Sequence, residues 1–396
     1  MTERELFYRY LGLPSFTPMG LEIEHAEGIY LTDKTGKSYI DLVSGISVSN
    51  IGHRHPKVLD AIRDQLEKYL YLNVYGEFIQ SPQVQLAKRL VDLMPAPLES
   101  VFFVNSGSEA IEGALKLAKR YTGRSEVIAF YNAYHGSTQG ALSILGNEVM
   151  KHPFRPLIPD IRFLRFNNFP DLEQISEKTA CVVAETIQAE AGLILPVDSY
   201  LFQLRKRCSD TGTLLIVDDV QMGFGRTGKL FSFEHYGIVP DILVLAKAFG
   251  AGMPLGAFIA PKKVMDTLAF DPELGHITTF GGHPVSCAAA LAGLEVLCSG
   301  SLLADVEAKG RRFEAKLAGH PVIKSLRRKG LAIGADLAGP GKRKLFMEAV
   351  VGKGIIIDWY LFQPATFRIA PPLTITFEEI DLACEALTAA LEKVKM

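Results

Sequence analysis

Short, almost wholly apolar runs recur through the middle of this chain, and longer stretches with helical spacing separate them. Glu99-Ser-Val-Phe-Phe-Val104, Glu126 to Phe130, Thr179 to Ala184, Thr213 to Val217, Asp241 to Ala246 and Ala257 to Ala260 have the length and β-branched content of buried strands. After the first of them, Ser108 to Arg120 places apolar residues at helical intervals. Strands that are apolar on both faces and joined through helices predict a mostly parallel sheet covered on both sides, an α/β region from about residue 50 to about 290.

The ends follow a different pattern. Glu27 to Asp41 reads as a hairpin turning at Lys34-Thr-Gly36, and from about residue 300 helical stretches alternate with a few strands. Pro284 to Leu297 is expected to be a long helix linking the two regions. These patterns divide the chain into a large domain over 50–298 and a smaller α+β domain assembled from 1–49 and 299–396.

Composition narrows the classes. The 396 residues are 48% hydrophobic and 22% charged, enough for a core spanning two or so domains. The net charge is −2 and no basic run is interleaved with aromatics, which argues against nucleic acid as a partner. No apolar stretch reaches the length of a membrane span, and the start, Met-Thr-Glu-Arg-Glu-Leu, lacks a signal-peptide pattern. A cytoplasmic protein with no membrane partner is therefore expected. The five cysteines are scattered and show no CxxC spacing, so neither a disulfide framework nor a metal site is indicated.

Candidate chemistry gathers at the ends of the predicted strands. Lys247 lies where Asp241 to Ala246 runs into the glycine-rich turn Ala248 to Gly256. Burial there disfavours the ammonium and favours a neutral, nucleophilic amine. By itself such a lysine is more often a snorkelling strand-end residue. Asn105-Ser-Gly-Ser-Glu109 opens a helix directly after a strand, Ser106 and Glu109 fit a capping box, and the free N–H groups of such a turn bind phosphate. Asp218-Asp219 closes another strand, where alternation lets only one carboxylate face a given ligand. The following Gly223-Phe-Gly-Arg-Thr-Gly-Lys-Leu230 mimics two nucleotide loops and completes neither. Leu230 stands where a magnesium-binding hydroxyl is needed, and five residues separate Val217 from Gly223.

An amine, a buried acid, a phosphate-binding helix start and stacking aromatics together specify pyridoxal 5'-phosphate. At these residues, above all Asp218-Asp-Val-Gln-Met-Gly-Phe-Gly-Arg-Thr-Gly228 through Lys247, the chain resembles the class III, or ornithine and ω-amino acid, aminotransferases of fold type I, and the likeness extends from Gly28 to about Leu373. The resemblance implies that the large domain binds the cofactor, that Lys247 forms its Schiff base, and that Asp218 faces the pyridinium nitrogen. It puts Val220 against the ring, Gln221 near the phenolic oxygen, Ser106, Gly107 and Ser108 at the phosphate, and Tyr134 stacked on the ring. Thr279 matches a threonine that reaches the phosphate of the neighbouring subunit, which implies a homodimer with shared active sites. Arg368 matches the arginine that receives a substrate α-carboxylate, and Glu190 the glutamate that neutralises it when an ω-amine occupies the site.

The implied reaction is ping-pong transfer of an amino group from an acetylornithine, ornithine or 4-aminobutyrate type of donor to a 2-oxo acid, with 2-oxoglutarate the default acceptor. Ser137 departs from the pattern. Many family members carry an arginine there, and a hydroxyl cannot replace its bidentate grip on a carboxylate. Ile111 stands where asparagine is common and Asp219 where glutamate is usual. A broad amine:pyruvate aminotransferase is the rival expectation, followed by a pyridoxal enzyme catalysing racemisation, isomerisation or decarboxylation.

Overall fold

The computed structural model describes residues 1–395 of the chain. Near its start, β1 (Ile23–Glu27), β2 (Tyr30–Asp33) and β3 (Ser38–Asp41) pair antiparallel. The turn between β2 and β3 is held by Asp33, whose Oδ1 accepts from the N–H groups of Thr35 at 2.9 Å and Lys37 at 3.1 Å. That is the usual way an aspartate fixes a tight reversal.

Seven strands form the central sheet: β4 (Ser100–Val104), β5 (Glu126–Phe130), β6 (Ile161–Leu164), β7 (Thr179–Glu185), β8 (Leu214–Asp218), β9 (Ile242–Leu245) and β10 (Gly256–Ala260). Their order is β4-β10-β9-β8-β7-β5-β6, and all pairs are parallel except those of β10 with its two neighbours. The expected mostly parallel sheet is thus present. The composition of the strands explains why both faces are covered. Val127, Val183, Ile216, Val244 and Phe258 face one core, while the alternate positions Ile128, Val182, Leu215, Leu243 and Ile259 face another. The Gly107–Thr122 helix packs on the first face so closely that a Cβ at Gly113 would lie 2.3 Å from the Phe258 ring. Sequence reading missed β6, where Ile161-Arg-Phe-Leu164 mixes a charge into an edge strand and so lacks the continuous apolar run of its neighbours.

The remaining strands are β11 (Ile323–Lys329), β12 (Ala332–Leu337), β13 (Ile355–Ile356), β14 (Asp358–Tyr360) and β15 (Gln363–Ile369). Four of them form a sheet in the order β11-β12-β15-β14, and β13 pairs in parallel with β3, placing Ile355 opposite Ile40. Residues from opposite ends of the chain therefore share one sheet. The Pro284–Cys298 helix runs ahead of this region and is largely buried. No single helix among the described residues is long and apolar enough to cross a membrane.

Candidate active site

Because β4, β7, β8 and β9 point the same way, the turns that follow them meet at one edge of the central sheet. They enclose a cavity of about 490 Å³, with Ser106, Gly107 and Ser108 from the turn after β4, Asp218, Val220 and Gln221 from β8 and its turn, and Lys247 after β9. The carboxyl ends of parallel strands are where such folds collect ligands.

Ser106 caps its helix, its Oγ accepting from the Glu109 N–H at 3.2 Å. The expected capping box is only half made. Glu109 Oε2 instead accepts from the backbone N–H and side-chain amide of Asn105, each at 2.8 Å, so it steadies the strand end one residue further back. The first N–H groups of the helix keep no intrahelical acceptor, which leaves a positive end facing the cavity. Gly107 sits tight against the opposite wall, since a Cβ there would lie 3.1 Å from Val220 Cγ1.

Lys247 enters the cavity from a left-handed backbone conformation, with φ of 52°. A lysine in that region is strained, and such strain persists where surrounding packing enforces it. The protein around the amine removes its hydration and pushes it down from the ordinary lysine value to about 8, an effect that Glu190 partly opposes. Near neutral pH a usable fraction of the amine is therefore unprotonated.

The paired aspartates separate as alternation requires. Asp218 lines the cavity, its Oδ1 accepting from the Val220 N–H at 3.1 Å and its Oδ2 lying 2.8 Å from Nδ1 of the buried His135. Asp219 points the other way, is fully buried, and accepts from the backbone N–H and hydroxyl of Ser232. Burial raises the Asp219 carboxyl to about 7. A third acid, Glu185, ends β7 and accepts from the N–H groups of Tyr134 at 3.2 Å and Ala189 at 3.1 Å. Burial first, and the neighbouring Asp218 second, push Glu185 well above the usual carboxylate range.

Glu190 and Arg368, which by sequence alone are more ordinary as surface charges, form a buried ion pair. Arg368 Nη2 donates to Glu190 Oε1 at 2.7 Å, and Gln221 Nε2 donates to the same oxygen at 3.0 Å. The other oxygen of Glu190 accepts from the Leu361 N–H at 2.9 Å. Arg368 is also 3.3 Å from Asp358 Oδ2 and lies over the Tyr360 ring at 4.4 Å. Glu190 lines the cavity, so this cluster adjoins the Lys247 amine.

Tyr134 lines the cavity, and its hydroxyl oxygen lies 3.2 Å from that of Ser137, which is exposed. Thr279 is elsewhere. It is exposed and lines a second cavity with Tyr71, Phe78, Ile79 and His283, so a single chain does not bring it to the Lys247 cavity. The glycine pattern after β8 forms a folded loop rather than the start of a helix. Within it Arg226 is fully buried and donates to the carbonyls of Leu331 and Pro371, to Ser44 Oγ and to Asn50 Oδ1.

Sequence reasoning missed His135, Glu185, Asp358 and Tyr360. His135 lay beside Tyr134 in Tyr-His-Gly136, and the adjacency was its only signal. Asp358 carried none, because its partner ten residues on is met only when the chain reverses between β14 and β15.

The family model for class-III aminotransferases matches residues 14–391. The chain is 39% identical over 383 residues to an acetylornithine aminotransferase of Methanocaldococcus jannaschii, covering 93% of each protein. Among solved structures it resembles the ornithine aminotransferase of Toxoplasma gondii, which has PLP at partial occupancy in its active site, with a TM-score of 0.92, 28% identity, and coverage of 99% of this chain and 93% of the other. A PLP-bound amine transaminase from an uncultivated Pseudomonas species superposes with a TM-score of 0.89 at 28% identity, over 97% of this chain and 100% of the other.

Proposed function

The chain belongs to the class-III aminotransferases, which use pyridoxal 5'-phosphate, and from that premise we propose that it transfers the amino group of an ω-amino acid to 2-oxoglutarate. The residues lining the cavity fit the cofactor. An amine, a carboxylate and the open end of a helix surround one space, and the gap between Gly107 and Val220 leaves no room for a side chain at 107. When bound, the cofactor supplies an aldehyde carbon that holds an amine and a ring that accepts electrons.

Lys247 would hold the aldehyde, and Asp218 would set a negative charge at the ring nitrogen. His135 keeps that carboxylate in place from behind. Ser106, Gly107 and Ser108 would hold its phosphate at the helix start, and Tyr134, Val220 and Gln221, which line the same cavity, would hold its ring. The cavity walls lower Lys247 Nζ to about 8, and with the cofactor bound a freed Lys247 amine would be placed to hold and move a proton at the carbon bearing the donor's amine. Donor and acceptor use the same site in turn. With Glu190 on Arg368 the pair is neutral and admits an ω-amine; with Glu190 swung away, Arg368 receives the α-carboxylate of the oxo acid or of its amino acid product.

The observation that carries this reading is the buried 2.7 Å contact between Arg368 and Glu190 beside the Lys247 cavity. The test is to follow the visible absorbance of the loaded enzyme through each half-reaction. Acetylornithine, ornithine or 4-aminobutyrate should bleach it, and 2-oxoglutarate should restore it. Indifference to all three donors overturns the assignment. The second reading, a broad range of amines with pyruvate, rests on Ser137, which beside Tyr134 supplies a hydroxyl and no cation for a distal carboxylate; restoration by pyruvate in preference to 2-oxoglutarate would establish it.

A homodimer with shared sites is part of the same proposal. Phe78 and Ile79 are 53% and 97% exposed beside Thr279, an apolar surface of the kind a partner covers. A cytoplasmic location is likewise proposed, in keeping with five cysteines that are all free.

A further inference from the structure

Arg368 is held from two sides, and the two holds differ in kind. Glu190 reaches the arginine from the segment after β7, outside the arginine's own sheet, and lines the cavity where an incoming group meets it. Asp358 stands directly opposite Arg368 in the β14–β15 ladder, so the pairing of the strands keeps its carboxylate beside Nη1, at 3.3 Å. Among the described residues Asp358 Oδ1 has no hydrogen-bond partner, and the arginine is the one ion-pair neighbour of this carboxylate. On the arginine, Nη2 is taken by Glu190 and Nε is buried without a partner. Those two nitrogens form one edge of the planar guanidinium, the edge on which a carboxylate binds side-on. Tyr360 beneath the guanidinium plane, at 4.4 Å, resists its rotation.

One cation thus faces two carboxylates. A substrate carboxylate that displaces Glu190 meets an arginine already neutralised by Asp358, and it approaches a like charge at close range. We propose that Asp358 is a specificity-determining residue that weakens the hold of Arg368 on substrate carboxylates and confines them to the Nε and Nη2 edge. The consequence is a site tilted toward amine donors that place no carboxylate at the arginine, with oxo acids bound loosely enough to leave. This inference rests on the reading of Arg368 as the carboxylate receiver. Burial raises the Asp358 carboxyl to about 6, against the opposing pull of Arg368; Glu190, Asp41 and Lys247 are the other charged groups acting on it. At neutral pH its charge is in place.

Calorimetric titration of the cofactor-loaded protein with glutarate, a dicarboxylate that cannot react, tests the idea. Asp358→Asn is expected to bind glutarate roughly tenfold more tightly than the wild type, as removal of one close like charge implies. Asp358→Glu should restore wild-type affinity, and Arg368→Ala should abolish binding. In turnover, Asp358→Asn should lower the KM for 2-oxoglutarate by more than it changes kcat. If Arg368→Ala abolishes binding while Asp358→Asn leaves it unchanged or weaker, the role of Asp358 is overturned and the arginine reading stands. If glutarate binds equally well to Arg368→Ala, the arginine reading falls and the inference with it. Should the asparagine variant fail to fold, Glu190→Gln isolates Asp358 as the one carboxylate on Arg368. In that background the further change Asp358→Ser should tighten ethanesulfonate binding severalfold at pH 7, and unchanged affinity overturns the proposal.

Discussion

At Lys247 the physical penalty and the proposed chemistry have the same origin. The walls of the cavity strip water from the amine and lower it to about 8, whereas an unfolded lysine titrates near 10.4. Between those values the unfolded chain binds the extra proton, so the stability of the cofactor-free protein should rise with pH through that window. Replacing the amine by a methionine removes the penalty. In the cofactor-free state Lys247→Met is expected to be more stable than the wild type at pH 7 by up to ~3 kcal/mol, with the gap closing toward pH 10.5. Urea midpoints measured across that range check the sign. The same variant should show no transamination and no visible absorbance from a bound aldehyde. Lys247, Asp218 and the Ser106 turn could be found from sequence because each lies at the end of an apolar run. Glu185 also ends an apolar run, Thr179 to Ala184, and only the neighbouring Asp218 sets it apart; His135 and Asp358 end none, and what distinguishes them is the charge that comes to lie beside them in space.

Among the elements, strand ends were harder to place than strand interiors. The expected Thr213 to Val217 became β8 over Leu214–Asp218, which puts Asp218 inside the ladder instead of just beyond it. The difference is physical, since Asp218 pairs with Glu185 of β7 and polar side chains at a strand end do not reveal whether the backbone is still paired. Packing between elements shapes the Ser106 to Ser108 turn, the proposed phosphate site, too. Gly256 at the start of β10 lies against the Ser106 carbonyl, where a Cβ would come within 2.3 Å of a backbone oxygen that cannot rotate away. Gly256→Ala should therefore displace the Ser106 to Ser108 turn, weakening pyridoxal phosphate binding by at least about tenfold, an effect of roughly 1.4 kcal/mol. Equilibrium dialysis of the cofactor against the variant measures this. Retention equal to the wild type would mean that the turn does not hold the phosphate.

On the scale of the whole molecule, Arg226 joins parts of the chain that are far apart in sequence. Its guanidinium links Ser44 and Asn50 near the start to Leu331 and Pro371 near the end, and all of it is buried. Truncation would leave two carbonyls without their donor. Arg226→Leu is expected to cost about 3–5 kcal/mol, read as a fall in the urea midpoint, because a broken buried network leaves its other members uncompensated. The proposed dimer gives a second test. Sedimentation of the loaded protein should return twice the 43.4 kDa chain mass, and Thr279→Ala should weaken cofactor retention although Thr279 lies outside the cavity of its own chain. A monomer that retains full activity would exclude shared sites.

The sequence by itself determined the alternation of apolar runs, hence the parallel sheet, and the residue types at the strand ends, hence the cofactor chemistry. Both are local properties: a strand's burial is written in its own periodicity, and the residue type at a strand's end is written in the chain itself, while folding tunes its reactivity. Only the tertiary structure decided which charges meet. Glu190 and Arg368 lie 178 positions apart and become an ion pair because the turn after β7 and the strand β15 close on the same cavity. Asp358 joins them through the register of one hairpin. Coulomb energy depends on separation and on the surrounding medium, and folding sets both.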